Sequence, residues 1–295
     1  MTCQIIQGDC IESMRAMPAE SVQCVITSPP YWALRDYEAE GQIGAEPSPW
    51  LYVETMRTVF REVYRLLRSD GVLWLNLGDS YHGGGSTTVN GQNTRLYEGK
   101  STLQSRHSDG ACARPVKPRG YDRYRPKDLT GIPWLVAFAL QADGWYLRRD
   151  IVWHKPNPMP SSATDRPITA HEYLFLLSKE PSYFFDHKAI QEEGETGPRN
   201  SRSVWTIPTV PSRSGEHSAT MPPEMARRCV LAGSKPGDVV FDPFTGEGTT
   251  AVQAIRYGRR FLGCELNPRY ITVANNQIAA VQSELTEAAR QQRLW

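Results

Sequence analysis

The 295-residue chain predicts an α/β fold, a mostly parallel twisted sheet with helices on both faces. Three observations carry that expectation. The runs Val22-Gln23-Cys24-Val25-Ile26 and Val72-Leu73-Trp74-Leu75-Asn76-Leu77 are apolar almost throughout, as strands buried on both faces are. Between them Tyr52, Met56, Val59, Phe60, Val63, Leu66 and Leu67 recur at helical spacing. Far down the chain Asp238-Val239-Val240-Phe241-Asp242 leads into a glycine turn and a helix start, a second strand-to-helix unit.

Taken in order, Ile5 and Ile6 form a short strand ending at Gly8-Asp9, and a helix over about 11–17 precedes the strand at 22–26. A helix runs from roughly Trp50 to Arg68, with Gly71 placed to end it, before the strand at 72–77 closes on Gly78-Asp79. Periodicity disappears from about Ser80 to Lys127. A helix near Leu129–Asp143 follows, then strands over Trp145–Trp153 and Tyr173–Leu177 and a short one at Tyr183-Phe184-Phe185. Residues 186–216 read as a polar connection. Arg260-Phe261-Leu262-Gly263-Cys264 is a further strand ending in Glu265, and the stretch from Val281 to Trp295 is helical.

Composition sets bounds. With 40% hydrophobic and 22% charged residues the chain reads as an ordinary soluble globular protein, long enough for one large α/β domain with insertions. Its formal charge of +1 provides no global field, so any surface for nucleic acid must come from local clustering. The span 95–127 offers such a cluster: nine basic residues against three acids, a balance of +6, with Tyr97, Tyr121 and Tyr124 interleaved. That stretch suits either a solvated mobile insertion or a clamp on phosphates. The six cysteines contain no C-x-x-C pair, so no structural zinc or other metal is expected, and the apolar runs are too short to span a bilayer. A cytoplasmic protein is expected.

Two motifs carry chemistry. Thr27-Ser28-Pro29-Pro30-Tyr31-Trp32 directly follows a strand, where open α/β sheets place their ligands. The prolines remove two N–H donors and leave acceptors, the Ser28 hydroxyl adds another, and Tyr31 and Trp32 add flat faces. Acceptors beside aromatic planes suit a planar group bearing an NH2, such as a nucleobase. The same residues also suit a proline-rich turn capped by core aromatics. The second motif is Asp242-Pro243-Phe244-Thr245-Gly246-Glu247-Gly248-Thr249-Thr250, whose glycines permit close backbone approach and whose threonines suit a helix start. Glu265 follows Asp242 at about the interval at which an acid meets ribose hydroxyls in nucleotide-binding folds. No P-loop pattern occurs.

Together these segments resemble the amino-methyltransferases that modify exocyclic amines of DNA bases. The resemblance implies a Rossmann-like methyltransferase fold with an antiparallel edge strand and a circularly permuted, beta-type motif order, catalytic motif first. It implies S-adenosylmethionine as cofactor, with Asp9 reaching its adenine, Glu265 its ribose, Asp242, Pro243, Phe244, Thr245, Gly246, Gly248, Thr249 and Thr250 forming its loop, and Cys10, Thr27 and Leu266 also among the binding residues. His217, in a segment resembling the one that closes over the methionine end, joins this set. Ser28, Pro29, Pro30, Tyr31 and Trp32 would form the catalytic loop, in the S-P-P-Y form that implies cytosine N4 over adenine N6. The blocks Asp150–Pro160 and Glu172–Lys179 resemble the family's middle region, and Glu247 departs from the small residue more usual at its position.

The expected organisation is a catalytic half over 1–80, a basic flexible insertion over 81–127 that is a candidate for DNA contact, and a core continuation over 128–185. A candidate target-recognition connection covers 186–216, a cofactor-binding half 217–280, and a C-terminal helix or tail 281–295. Expected partners are double-stranded DNA, a second copy of the chain and a companion restriction endonuclease, with no membrane. Competing readings are a methyltransferase acting on RNA or protein glutamine, a nucleotide-dependent oxidoreductase, and a non-catalytic DNA-binding module. Methylation at cytosine C5 is disfavoured, since it needs a thiolate, normally from a Pro-Cys pair, and the chain has none.

Overall fold

The computed structural model describes residues 3–34, 41–82, 86–89, 92–95, 124–125, 127–211 and 220–292. His217 and most of the basic span 95–127 lie outside these. The main sheet contains β1 (Cys3–Gln7), β2 (Val22–Thr27), β3 (Leu67–Leu77), β6 (Tyr146–His154), β7 (His171–Ser178), β10 (Val204–Thr206), β11 (Val239–Asp242) and β12 (Arg260–Glu265). Their spatial order is β1-β12-β11-β2-β3-β7-β6-β10. Two hairpins stand apart from it, β4 (Ser86–Val89) with β5 (Gln92–Arg95) and β8 (Glu192–Gly194) with β9 (Gly197–Arg199).

Side-chain alternation assigns the two faces. Val25, Leu73, Leu75, Leu77, Phe175 and Leu177 pack with α1 (Cys10–Arg15), α2 (Pro49–Leu66) and α3 (Ile132–Ala142). Their neighbours Cys24, Ile26, Val72, Trp74, Leu174 and Leu176 pack on the other side with α4 (Pro223–Gly233), α5 (Thr249–Arg256) and α6 (Pro268–Gln292). Burial on both faces is why these strands read as continuous apolar runs. α2 begins where Ser48 accepts a hydrogen bond from the Leu51 N–H and Pro49 occupies the first turn. It buries Tyr52, Met56, Val59, Phe60, Val63 and Leu66, each large side chain contributing about 1.5–3 kcal/mol on leaving water.

Four expectations are corrected. Gly71 does not end α2, because the helix stops at Leu66 and Gly71 sits inside β3, where a Cβ would meet the Leu67 side chain at 2.6 Å and the Gln23 carbonyl at 2.9 Å. The antiparallel strand is not at the edge: β7 lies inside the sheet, antiparallel to both β3 and β6, and the edge strand β10 runs parallel to β6. Tyr183-Phe184-Phe185 forms no strand, and Phe185 instead packs against Trp74. The span 186–216 is more than a polar connection, since β10 belongs to the main sheet and buries Trp205.

The chain leaves β2 through α2 towards β3 and leaves β11 through α5 towards β12, on the opposite face. The crossovers therefore diverge between β2 and β11. Such a switch point opens a crevice outside the carboxyl ends of the strands.

Candidate active site

Both motifs reach this crevice. Thr27, the last residue of β2, is fully buried and its hydroxyl donates to Oδ1 of Asp242, the last residue of β11, at 2.7 Å. One hydrogen bond thus joins positions 215 apart. The cleft above it is lined by Asp9, Cys10, Ser28, Pro30, Pro243, Phe244, Gly246, Glu265 and Leu266 among the expected residues. Gly8, read with Asp9 as one strand end, also lines it, and Gly41, Gln42, Ile43, Asn267 and Tyr270 complete the lining and lie outside the residues expected from the sequence. For Asn267 a signal exists, as Asn-Pro marks a helix start: its side chain accepts from the Arg269 N–H at 2.9 Å, one residue into α6.

The glycine loop is shaped mostly by its own residues. Asp242 accepts from the Thr250 hydroxyl at 3.0 Å and from the Phe244 N–H at 3.0 Å, besides Thr27. The Thr245 hydroxyl donates to the Asp242 carbonyl at 3.2 Å. Thr27, Asp242, Thr245 and Thr250 are buried, and none of them lines the cleft, so their polar groups build the loop. Burial pushes the Asp242 carboxyl up to about 6, against the three hydrogen bonds that favour its charge. Gly248 caps α5 at φ +85°, where a Cβ would meet the Ala274 Cβ of α6 at 2.8 Å, so this glycine serves helix packing. Thr249 opens α5 half-buried.

Two carboxylates face the cleft. Glu265 accepts from the Gly246 N–H at 2.7 Å and the Asn267 N–H at 2.8 Å, and burial raises its carboxyl above the usual range. Asp9 caps α1 through the Glu12 N–H at 2.9 Å. Phe244, Ile43 and Leu266 supply apolar surface beside them. Acceptors next to an apolar wall suit a flat heterocycle carrying a hydroxylated sugar.

The loop after β2 is held differently. Ser28 Oγ lies 3.3 Å from Asn76 Oδ1 and 3.4 Å from the Tyr31 hydroxyl. Tyr31 donates to Glu172 Oε2 at 2.6 Å, and burial with that carboxylate alongside pushes the phenol well above its ordinary range. The Pro30 carbonyl accepts from the Tyr52 hydroxyl at 2.9 Å, which anchors the turn to α2. Pro29 is buried. Trp32, expected to add a flat face to the catalytic loop, is only 1% exposed, packs in the core and donates its indole N–H to the Glu46 carbonyl at 2.9 Å. It serves as a core cap and not as a stacking surface.

Fold and crevice together define a protein that sets an acceptor-rich loop opposite a nucleotide-type cleft across a switch point. A DNA methylase family model matches residues 22–276, and the chain belongs to this N6/N4 DNA methylase family. It is 45% identical to the type II methyltransferase M.Cfr9I of Citrobacter freundii, over 97% of this chain and 90% of that one. To M.SmaI of Serratia marcescens it is 46% identical, over 94% of this chain and 91% of the relative. In fold it is similar to TTHA0409 of Thermus thermophilus complexed with S-adenosyl-L-methionine, with a TM-score of 0.62, 24% identity, and coverage of 95% of this chain and 94% of that one.

Proposed function

We propose that this DNA methyltransferase moves a methyl group from S-adenosylmethionine to the N4 amine of a cytosine flipped out of duplex DNA. The observation that carries the reading is the single cleft lined by both Ser28 and the glycine loop. Asp9 and Glu265 offer acceptors to hydroxyl and amine donors, and Phe244 and Leu266 offer apolar cover. That fits an adenosine-type cofactor, as does the ligand of the Thermus protein. When bound, S-adenosylmethionine supplies a methyl group activated by its sulfonium.

The amine of a base is a weak nucleophile because its lone pair is delocalised into the ring. Ser28 Oγ and a backbone carbonyl near Pro29 accept its two N–H groups and draw the nitrogen towards a tetrahedral shape. Holding that nitrogen in line with the methyl group then supplies much of the rate. Reaching a duplex base requires flipping it, at a cost of about a few kcal/mol, and Tyr31, half-buried beside Ser28, is the aromatic of the loop within reach. The preference for cytosine N4 over adenine N6 rests on the resemblance of Ser28-Pro29-Pro30-Tyr31 to the S-P-P-Y form of the family. The basic insertion and the β8–β9 hairpin supply contacts outside the core, which duplex recognition needs. The type II naming of the relatives supports a companion restriction endonuclease.

Duplex DNA incubated with the enzyme and methyl-labelled cofactor, then digested to nucleosides, tests this. N4-methyldeoxycytidine is the expected product. N6-methyldeoxyadenosine alone would move the reaction to adenine, and label in RNA or protein but not DNA would end the proposal.

A further inference from the structure

We infer that Glu172 is a positioning residue for the transfer, acting through Asn76 to turn the Ser28 hydroxyl into an acceptor for the substrate amine. The inference rests on the role proposed above for Ser28. A serine hydroxyl both donates and accepts, so its use as an acceptor depends on where its own proton is held.

The surroundings settle that direction. Asn76, on β3, is only 1% exposed, and its Nδ2 donates to the Tyr173 carbonyl at 3.1 Å and to Glu172 Oε2 at 3.2 Å. A carbonyl and a carboxylate only accept, so the amide nitrogen must face them and Oδ1 must face Ser28. Asn76 Oδ1 at 3.3 Å and the Tyr31 oxygen at 3.4 Å both accept from Ser28, so its proton points into the protein and its lone pairs are left for the cleft. The Tyr31 hydroxyl also lies 3.2 Å from Asn76 Oδ1, but its single proton goes to Glu172 Oε2 at 2.6 Å, which leaves Asn76 Oδ1 to accept from Ser28. Lys155 closes the far end with an ion pair to Glu172 Oε1, both side chains being nearly buried at 14% and 13% exposed, and its ammonium lies 4.4 Å from the Trp153 ring centre. The ion pair takes up Oε1 and leaves Oε2 to accept from Asn76 and Tyr31.

Glu172→Gln tests the idea, because its amide nitrogen must oppose either Lys155 or the two donors. Single-turnover methyl transfer, with enzyme saturated in DNA and cofactor, is expected to fall about 10- to 100-fold, within the range of lost positioning groups. KM for DNA and affinity for S-adenosylhomocysteine should stay within about twofold. The decisive measurement is a cycle with Ser28→Ala: in that background Glu172→Gln should lower the rate no further, since both act through one hydroxyl. Asn76→Ala, which cuts the link with a smaller change in charge, should show the same non-additivity and serves if Glu172→Gln fails to fold. Multiplying effects, or an unimpaired rate in either single variant, would overturn the inference. A silent Ser28→Ala would instead remove the role of Ser28 itself.

Discussion

The two loops that meet at the switch point are built on opposite plans. The glycine loop is mostly local: Asp242, Phe244, Thr245 and Thr250 hydrogen-bond among themselves within nine positions, while Thr27, Glu265, the Cys264 carbonyl and the Gln277 side chain reach in from elsewhere. The serine loop is held from a distance, with Asn76 48 positions away, Glu172 141 positions from Tyr31, and Tyr52 22 from Pro30. A mostly local plan gives a cradle whose turn is set by its own residues and seated on β12 and β2. A distributed plan makes the serine loop answer to β3, β7 and α2 together, so its donor and acceptor directions can be tuned without changing the loop's own sequence.

The cradle breaks most severely from beneath. A Cβ at Gly263, in β12, would lie 2.1 Å from Thr245 Oγ1 and 2.8 Å from the Phe261 ring, so the loop and the strand cannot both stay in place. Gly263→Ala is expected to cost about 3 kcal/mol of stability, the upper range for overpacking. It should also weaken S-adenosylhomocysteine binding at least about tenfold. Calorimetry and chemical denaturation measure the two losses, and near-native affinity would show that the loop is less tightly seated than its hydrogen bonds imply.

How far each region is legible in the sequence follows the same division. Asp242 to Thr250 reads as a strand end, tight turn and helix start because the residues that make the turn are its own neighbours. What a threonine there does is less legible: Thr245 and Thr250 are spent on the loop itself, where the sequence suggests ligand contact. Ser28 and Tyr31 can be read as acceptor and aromatic, but not Glu172 and Lys155 as their supports, since hydrogen bonds between distant strands leave no periodicity. Trp32 misleads because an aromatic after two prolines looks alike as wall or core cap until the packing is known. β10 has three residues, too few for an alternating pattern, and Gly71 mimics a helix stop although close approach to β2 is what requires it.

Asp242 sharpens the comparison through pH. Its folded pKa of about 6 lies above the ordinary carboxylate value of 3.8, so the folded state binds the proton more tightly than the unfolded state. The stability this contributes is fully present below about pH 4 and is lost as pH rises through 6. Asp242→Asn removes the titration. Relative to wild type, the variant should gain roughly 2–3 kcal/mol between pH 4 and pH 7, at about 1.4 kcal/mol for each tenfold difference in proton affinity between the folded and unfolded states. Urea denaturation across that range measures it, and parallel profiles would place the Asp242 carboxylate in a more hydrated setting.

The bridge itself comes next. Thr27→Val keeps the shape of the side chain but removes the donor to a buried carboxylate, a bond of about 1.5–3 kcal/mol. With one charge-stabilising bond gone, the pH region in which Asp242 titrates should move upwards. If the bridge also sets the spacing of the two loops, single-turnover methyl transfer should fall more than cofactor affinity does. Equal losses would mean that it holds only the cradle.

Tyr52→Phe carries the smallest expected effect. The tyrosine ring is fully buried on α2, and the variant leaves that packing intact while removing the hydroxyl that donates to the Pro30 carbonyl at 2.9 Å. A net loss of about 1 kcal/mol is expected, with the freed carbonyl turning towards water at the cleft. Because the serine loop has further supports in Asn76 and Glu172, the transfer rate should fall only a few-fold, and the affinity of the glycine loop's cleft for S-adenosylhomocysteine should hold. A fall comparable to that of Gly263→Ala would mean that the distributed loop hangs on a single anchor after all, and that its many distant partners do not share the load.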